Sequence, residues 1–129
     1  MATKQQDHMA ALQADASTAH RNEVVMVGRL SGDPASRLLP SGDEIVTFRV
    51  VVERPRRRDT NGRREPTIDT LDCAVAAAVL RRRLLGWGTG DVIEVVGSLR
   101  RRFWRAGPAV LSRCEVQVVR ARRIARATE

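Results

Sequence analysis

The stretch TIDTLDCAVAAAVLRRRLLGWGTGDVIEVVGSLRRRFW, residues 67–104, decides the fold because its hydrophobic period changes twice. Thr67 to about Ala76 reads as an extended strand. From Ala77 to Leu85 the pattern turns helical, with Leu80 and Leu84 four apart on one face and Gly86 as the stop. Arg81, Arg82 and Arg83 fall mostly on the solvent side of that short helix. Gly88-Thr89-Gly90-Asp91 is a turn. Val92 to Trp104 is then a long strand, with a bend expected near Gly97. A strand, a nine-residue helix, a turn and a long strand follow one another.

Toward the N-terminus, Arg54 to Pro66 is a basic loop with an Asn61-Gly62 tip, which suits a long β-hairpin arm. Glu44 to Glu53 is a strand whose Val46, Phe48, Val50 and Val52 alternate with Arg49 and its neighbours. Arg37 to Leu39 is a short extended piece, and Pro40 to Asp43 a turn. Glu23 to Leu30 is the first strand, closed by Ser31-Gly32-Asp33-Pro34. Toward the C-terminus, Ala106-Gly107-Pro108 is a tight connection and Ala109 to about Val119 the fifth strand, with Arg120 to Glu129 a basic end. Residues 1–21 are polar and Ala-rich, a disordered or weakly helical extension; 22–124 make up the domain, and 125–129 a short tail. The order is three strands, a short helix and two strands. It is the order of an OB-fold, an all-β five-stranded Greek-key barrel with its helix between strands three and four. An SH3-like barrel is the rival, and it would not normally carry a helix there.

The chain has 129 residues and a net charge of +8, and all but one of its 23 basic residues are arginine. A polyanion, most simply nucleic acid, is the partner that such a charge favours; a solvated basic surface is the plainer alternative. No apolar run approaches a membrane span, and there is no apolar signal segment, which points to a cytoplasmic, nucleoid-associated protein. Cys73 and Cys114 make neither a disulfide framework nor a zinc site, and alternating with apolar neighbours they read as inert thiols. Both histidines lie in the first 20 residues, no phosphate-cradling Gly-rich loop exists, and Asp69 and Asp72 face opposite sides of their strand. An enzyme, a metal and a cofactor are therefore not expected.

From Asn22 to about Ile124 the chain resembles the bacterial single-stranded DNA-binding protein (SSB) family. The resemblance rests on the opening strand Asn22–Leu30, on Asp33-Pro34, Arg37 and Pro40-Ser41-Gly42, and on Gly90-Asp91-Val92 through Gly97-Ser98-Leu99. It continues in Arg100–Trp104 and Cys114-Glu115-Val116. It implies a homotetramer of OB-folds around which single-stranded DNA wraps, in replication, repair or recombination. Three departures stand out. Arg56, Thr70 and Ala76 occupy positions where the family usually has stacking aromatics. The chain ends Arg126-Ala127-Thr128-Glu129 where family members have an acidic, Phe-ending tail, so tail-mediated recruitment of enzymes is not expected. Residues 1–21 extend the usual start. A short paralogue fits this pattern; the alternative is an OB module like primosomal replication protein N, working mainly through protein contacts or RNA.

Base stacking and phosphate tracking define the candidate site. Trp104 matches the family's aromatic on the fourth strand and is expected to stack, Phe103 pointing to the opposite face, with one of the two in the core. Trp87, between glycines, reads as a packing residue. Arg100 and Arg102 share the face of Trp104, and Arg49 on strand two faces solvent beside it. Arg56, Arg57, Arg58, Arg63 and Arg64 on the arm form an expected clamp on backbone phosphates; a solvated turn is the alternative.

Overall fold

The computed structural model describes residues 19–55 and 67–128. Its elements are β1 (Val24–Leu30), β2 (Ala35–Leu38), β3 (Glu44–Glu53), β4 (Ile68–Val75), α1 (Ala78–Leu85), β5 (Val92–Ala106) and β6 (Ala109–Ala125). The five strands expected from sequence are β1, β3, β4, β5 and β6. β2 is the short extended piece, paired along β3 from Ala35↔Thr47 to Leu38↔Glu44.

The five long strands close on themselves. β1 runs antiparallel to β5 and, at its end, crosses onto β3 through Arg29↔Val51 and Leu30↔Val50. β3 pairs with β4, β4 lies parallel to β6 at Cys73↔Val116, and β6 pairs back to β5. This is the OB barrel. Two glycines make it possible. At Gly28 a Cβ would overlap the Val51 carbonyl where β1 leaves one neighbour for the other. At Gly97 a Cβ would overlap the Gln117 carbonyl, and the β5–β6 register shifts there, which is the expected bend.

Inward residues of every barrel strand meet in one core: Leu30, Val50, Val75, Ile93 and Val95 are all at most 2% exposed. Leu84 and Leu80 of α1 plug one end of it, and Trp87 packs against the same cluster. Each such side chain contributes roughly 1.5–3 kcal/mol on burial. Gly86 ends α1 in a right-handed conformation (φ −84°), its N–H bonded to the Arg83 carbonyl, so the stop needs no left-handed glycine. Arg81 departs from the expected solvent face: it reaches back to Glu44 at 2.7 Å and to the Ala76 carbonyl.

Two aspartates tie the closed end together. Asp33 accepts hydrogen bonds from the Thr89 N–H and hydroxyl. Asp91, buried, accepts from the Gly88 and Ala127 N–H groups and from Arg123. These donors hold both carboxyls below the usual carboxylate range, the Thr89 N–H leading for Asp33 and the Gly88 N–H for Asp91. The strand expected to stop near Val119 therefore continues to Ala125. Buried Ala121, Arg122 on Glu94 at 2.9 Å and Arg123 on Asp91 hold this extra length against β5.

Candidate nucleic-acid interface

β5 and β6 outrun the barrel. From Arg100 to Ala106 on one strand and from Ala109 to Cys114 on the other, every residue is exposed while the pairing continues to Ala106↔Ala109. Gly107, with φ 62°, and Pro108 form the two-residue tip. The result is a two-stranded ribbon roughly 20 Å long, at about 3.4 Å per residue.

Residues directly opposite in an antiparallel pair share a face. The front face carries the pairs Arg100↔Glu115, Arg102↔Arg113 and Trp104↔Leu111. The back face carries Arg101↔Cys114, Phe103↔Ser112 and Arg105↔Val110. Trp104 is 44% exposed and Phe103 is 67% exposed. The expectation that one of them enters the core is corrected: neither can, because the barrel ends before the strand reaches them.

At the foot of the front face lies a groove of about 250 Å³, lined by Arg37, Thr47, Arg49, Asp72, Arg113 and Glu115 among others. Asp72 stands between two arginines, 3.0 Å from Arg49 Nε and 3.8 Å from Arg113 Nε. Glu115, buried at the ribbon's base, takes Arg102 Nε at 2.5 Å. The Arg113 guanidinium also lies 5.9 Å from the centre of the Trp104 ring, within cation–π range. Arg49, Arg113 and Trp104 thus form one line from the groove onto the ribbon. Arg37 meets no carboxylate among the described residues.

Of the residues expected from sequence, Arg49, Arg100, Arg102 and Trp104 are brought to this groove and front face. Arg56, Arg57, Arg58, Arg63 and Arg64 lie outside the described residues. The base of their arm is paired: Arg54 donates two hydrogen bonds to Asp69, whose carboxyl is held below its usual range by that contact, and the Arg54 N–H bonds the Thr67 carbonyl. Sequence reasoning missed Arg113. Counting back from the two-residue tip places it opposite Arg102, which was the signal available.

The cysteines differ. Cys73 is buried beneath the groove, and burial, with the nearby charges of Asp72 and Glu115, pushes its thiol up to about 12. It stays protonated and is no nucleophile. Cys114 is exposed on the ribbon, so the reading of both cysteines as inert thiols among apolar neighbours fits the buried Cys73 and not the setting of Cys114.

With this geometry in view, comparison with known proteins is specific. The model of the family described as "Single-strand binding protein family" matches residues 21–123. Single-stranded DNA-binding protein 3 of Listeria innocua is 43% identical over 54 residues, which is 42% of this chain and 32% of the relative. The single-stranded DNA-binding protein of Aquifex aeolicus is 29% identical over 83 residues, 64% of this chain and 56% of the relative. The chain thus aligns with about a third to somewhat over half the length of these curated relatives. Among solved structures, the Plasmodium falciparum SSB complex with ssDNA superposes with a TM-score of 0.67 at 21% identity, covering 82% of this chain and 95% of the other. That likeness establishes a shared fold.

Proposed function

This chain belongs to the single-strand binding protein family, and we propose that it binds and protects single-stranded DNA, with little sequence preference, along the groove and the front face of the ribbon. The observation that carries the reading is the unbroken line of Arg49, Arg113 and Trp104 beside Arg100 and Arg102. Arginines track a backbone and the indole offers a π-face that any base can use.

The ion pairs hold the site ready for a phosphate. Arg49, Arg102 and Arg113 sit on carboxylates when no DNA is bound, and all three arginine side chains are about half exposed. A pair with an accessible carboxylate contributes about 0–1 kcal/mol, so a phosphate can take over Arg49 or Arg113 from Asp72 at little loss, whereas Arg102 stays with the buried Glu115, whose charge would otherwise be left unpaired. The pairs keep the arginines aimed along the groove until then. Each neutralised phosphate releases counterions, so affinity falls steeply with salt. With Trp104 as the one tryptophan on the site, the electrostatic share is larger than in an aromatic-rich relative.

The arginines of the arm extend the same track in this reading. Self-association, as a homotetramer, is part of it as well. Val25 (59% exposed) and Val27 (48%) point outward from β1, with half-buried Val96 opposite Val25, and an apolar outward face suits a subunit contact. Among the described residues the groove offers arginines and a ring face that a ribose strand can use as well, so single-stranded RNA competes through the same contacts.

Fluorescence anisotropy tests the reading. An oligo-dT of about 35 nucleotides, longer than the ~16 one OB-fold covers, is compared with the matching duplex at low and physiological salt. Tight binding to the single strand that survives physiological salt is the expected result. Equal binding to both forms, lost on adding salt, would reduce the charge to a generic polyanion surface.

A further inference from the structure

The ribbon has a second face, and its chemistry differs from the first. On the front, Arg102 is held by Glu115 and Arg113 by Asp72. On the back, Arg101 and Arg105 meet no carboxylate among the described residues. No acidic residue stands on that face from Leu99 to Arg105 or from Val110 to Cys114. Its centre is Phe103, 67% exposed, with the Arg101 guanidinium 6.0 Å from the ring centre. Leu99 and Val110 leave further apolar surface beside it. An exposed ring flanked by unneutralised guanidinium groups is the elementary unit of a single-strand stacking site.

We propose that the back face of the ribbon is a second nucleic-acid subsite, in which Phe103 stacks a base and Arg101 and Arg105 hold the flanking phosphates. The occupant is a further run of the same single strand, so the proposal rests on the function given above. Charge complementarity selects it: the ribbon's strands place only cationic charge on the back face, where the front is half neutralised. The route from front to back passes the tip Ala106-Gly107-Pro108-Ala109, which has no acidic and no large side chain to block a strand. The ribbon then acts as a post with nucleic acid on both sides, doubling the stacking surface of a chain with few aromatics.

The test uses the full chain and the oligo-dT of the previous section. Phe103→Leu keeps an apolar side chain and removes the ring; it weakens binding about fivefold, the lower end for one stacked base. Phe103→Trp restores wild-type affinity, and with Trp87→Phe and Trp104→Phe added its single indole is quenched by the oligonucleotide. The position is exposed, so unchanged melting temperatures are expected and serve as the folding control. Trp104→Leu reports on the front face in parallel. If Trp104→Leu weakens binding and Phe103→Leu does not, the back-face subsite is wrong and the single-strand function stands. If the wild-type chain shows no preference for the single strand, both fall together. If Phe103→Leu changes only the sedimentation coefficient, the back face is a protein contact and the subsite is again wrong.

Discussion

The barrel and the ribbon share two strands, β5 and β6, and obey different rules. Within the barrel, β5 alternates buried and half-buried residues from Val92 to Ser98; past Leu99 every residue is exposed. One strand thus passes from a place where side chains are chosen for volume to one where they are chosen for what they can touch. Apolar residues in the first half hold the fold. The apolar residues of the ribbon, Phe103 and Trp104 on β5 and Val110 and Leu111 on β6, stand outside the core and are 43% to 67% exposed. A long strand that outruns its barrel carries core-like residues into solvent.

Substitutions can pull the two regions apart. The largest effect belongs to the barrel: Leu84→Ala, at a fully buried site, lowers stability by about 2–5 kcal/mol in chemical denaturation. Next, Trp104→Ala weakens single-strand binding by roughly 1–3 kcal/mol while the melting temperature holds. A fall in both together would mean that the ribbon supports the barrel, and the division would fail. Smaller again, Arg49→Ala and Arg113→Ala each flatten the salt dependence, lowering the slope of log K against log salt by about 0.7 for single strands. Circular dichroism is expected to stay unchanged for both.

Protonation sharpens the same contrast. The Asp91 carboxyl is held below its usual range in the folded barrel, first by the Gly88 N–H. A depressed folded value contributes stability above the unfolded value of about 3.9, and that contribution is lost as pH falls through the folded one. Thermal melts should therefore drop below about pH 4, and Asp91→Asn should lower the neutral-pH melting temperature and flatten that acid drop. The smallest effect is chemical: iodoacetamide labels Cys114 in the native protein and spares Cys73 until unfolding, as mass spectrometry would read.

How far the sequence disclosed this follows from the same division. The barrel strands were legible because inward Val, Ile and Phe residues repeat with the period of a pleated strand, and because Leu80 and Leu84 mark the helix. The last residues of β6 were hidden, since Arg120-Ala121-Arg122-Arg123 looks like a tail until Glu94 and Asp91 are seen beside it. The placement of Arg100, Arg102 and Trp104 on one face, and of Arg49 facing solvent, was legible from parity. The exposure of Phe103 was not: alternation assigns opposite faces, and only the length of β5 relative to the barrel shows that both are wet. Arg113 escaped because its role depends on Asp72 and Trp104, which come from other strands.

The central claim is that the front of the ribbon, with Trp104 at its middle, is where the single strand is held. Trp87→Phe leaves Trp104 as the one tryptophan of the chain, and titrating that variant with oligo-dT reads the site directly. The account predicts saturable quenching by the single strand at physiological salt and little by the duplex. Binding that proceeds by anisotropy with Trp104 fluorescence unchanged would contradict it.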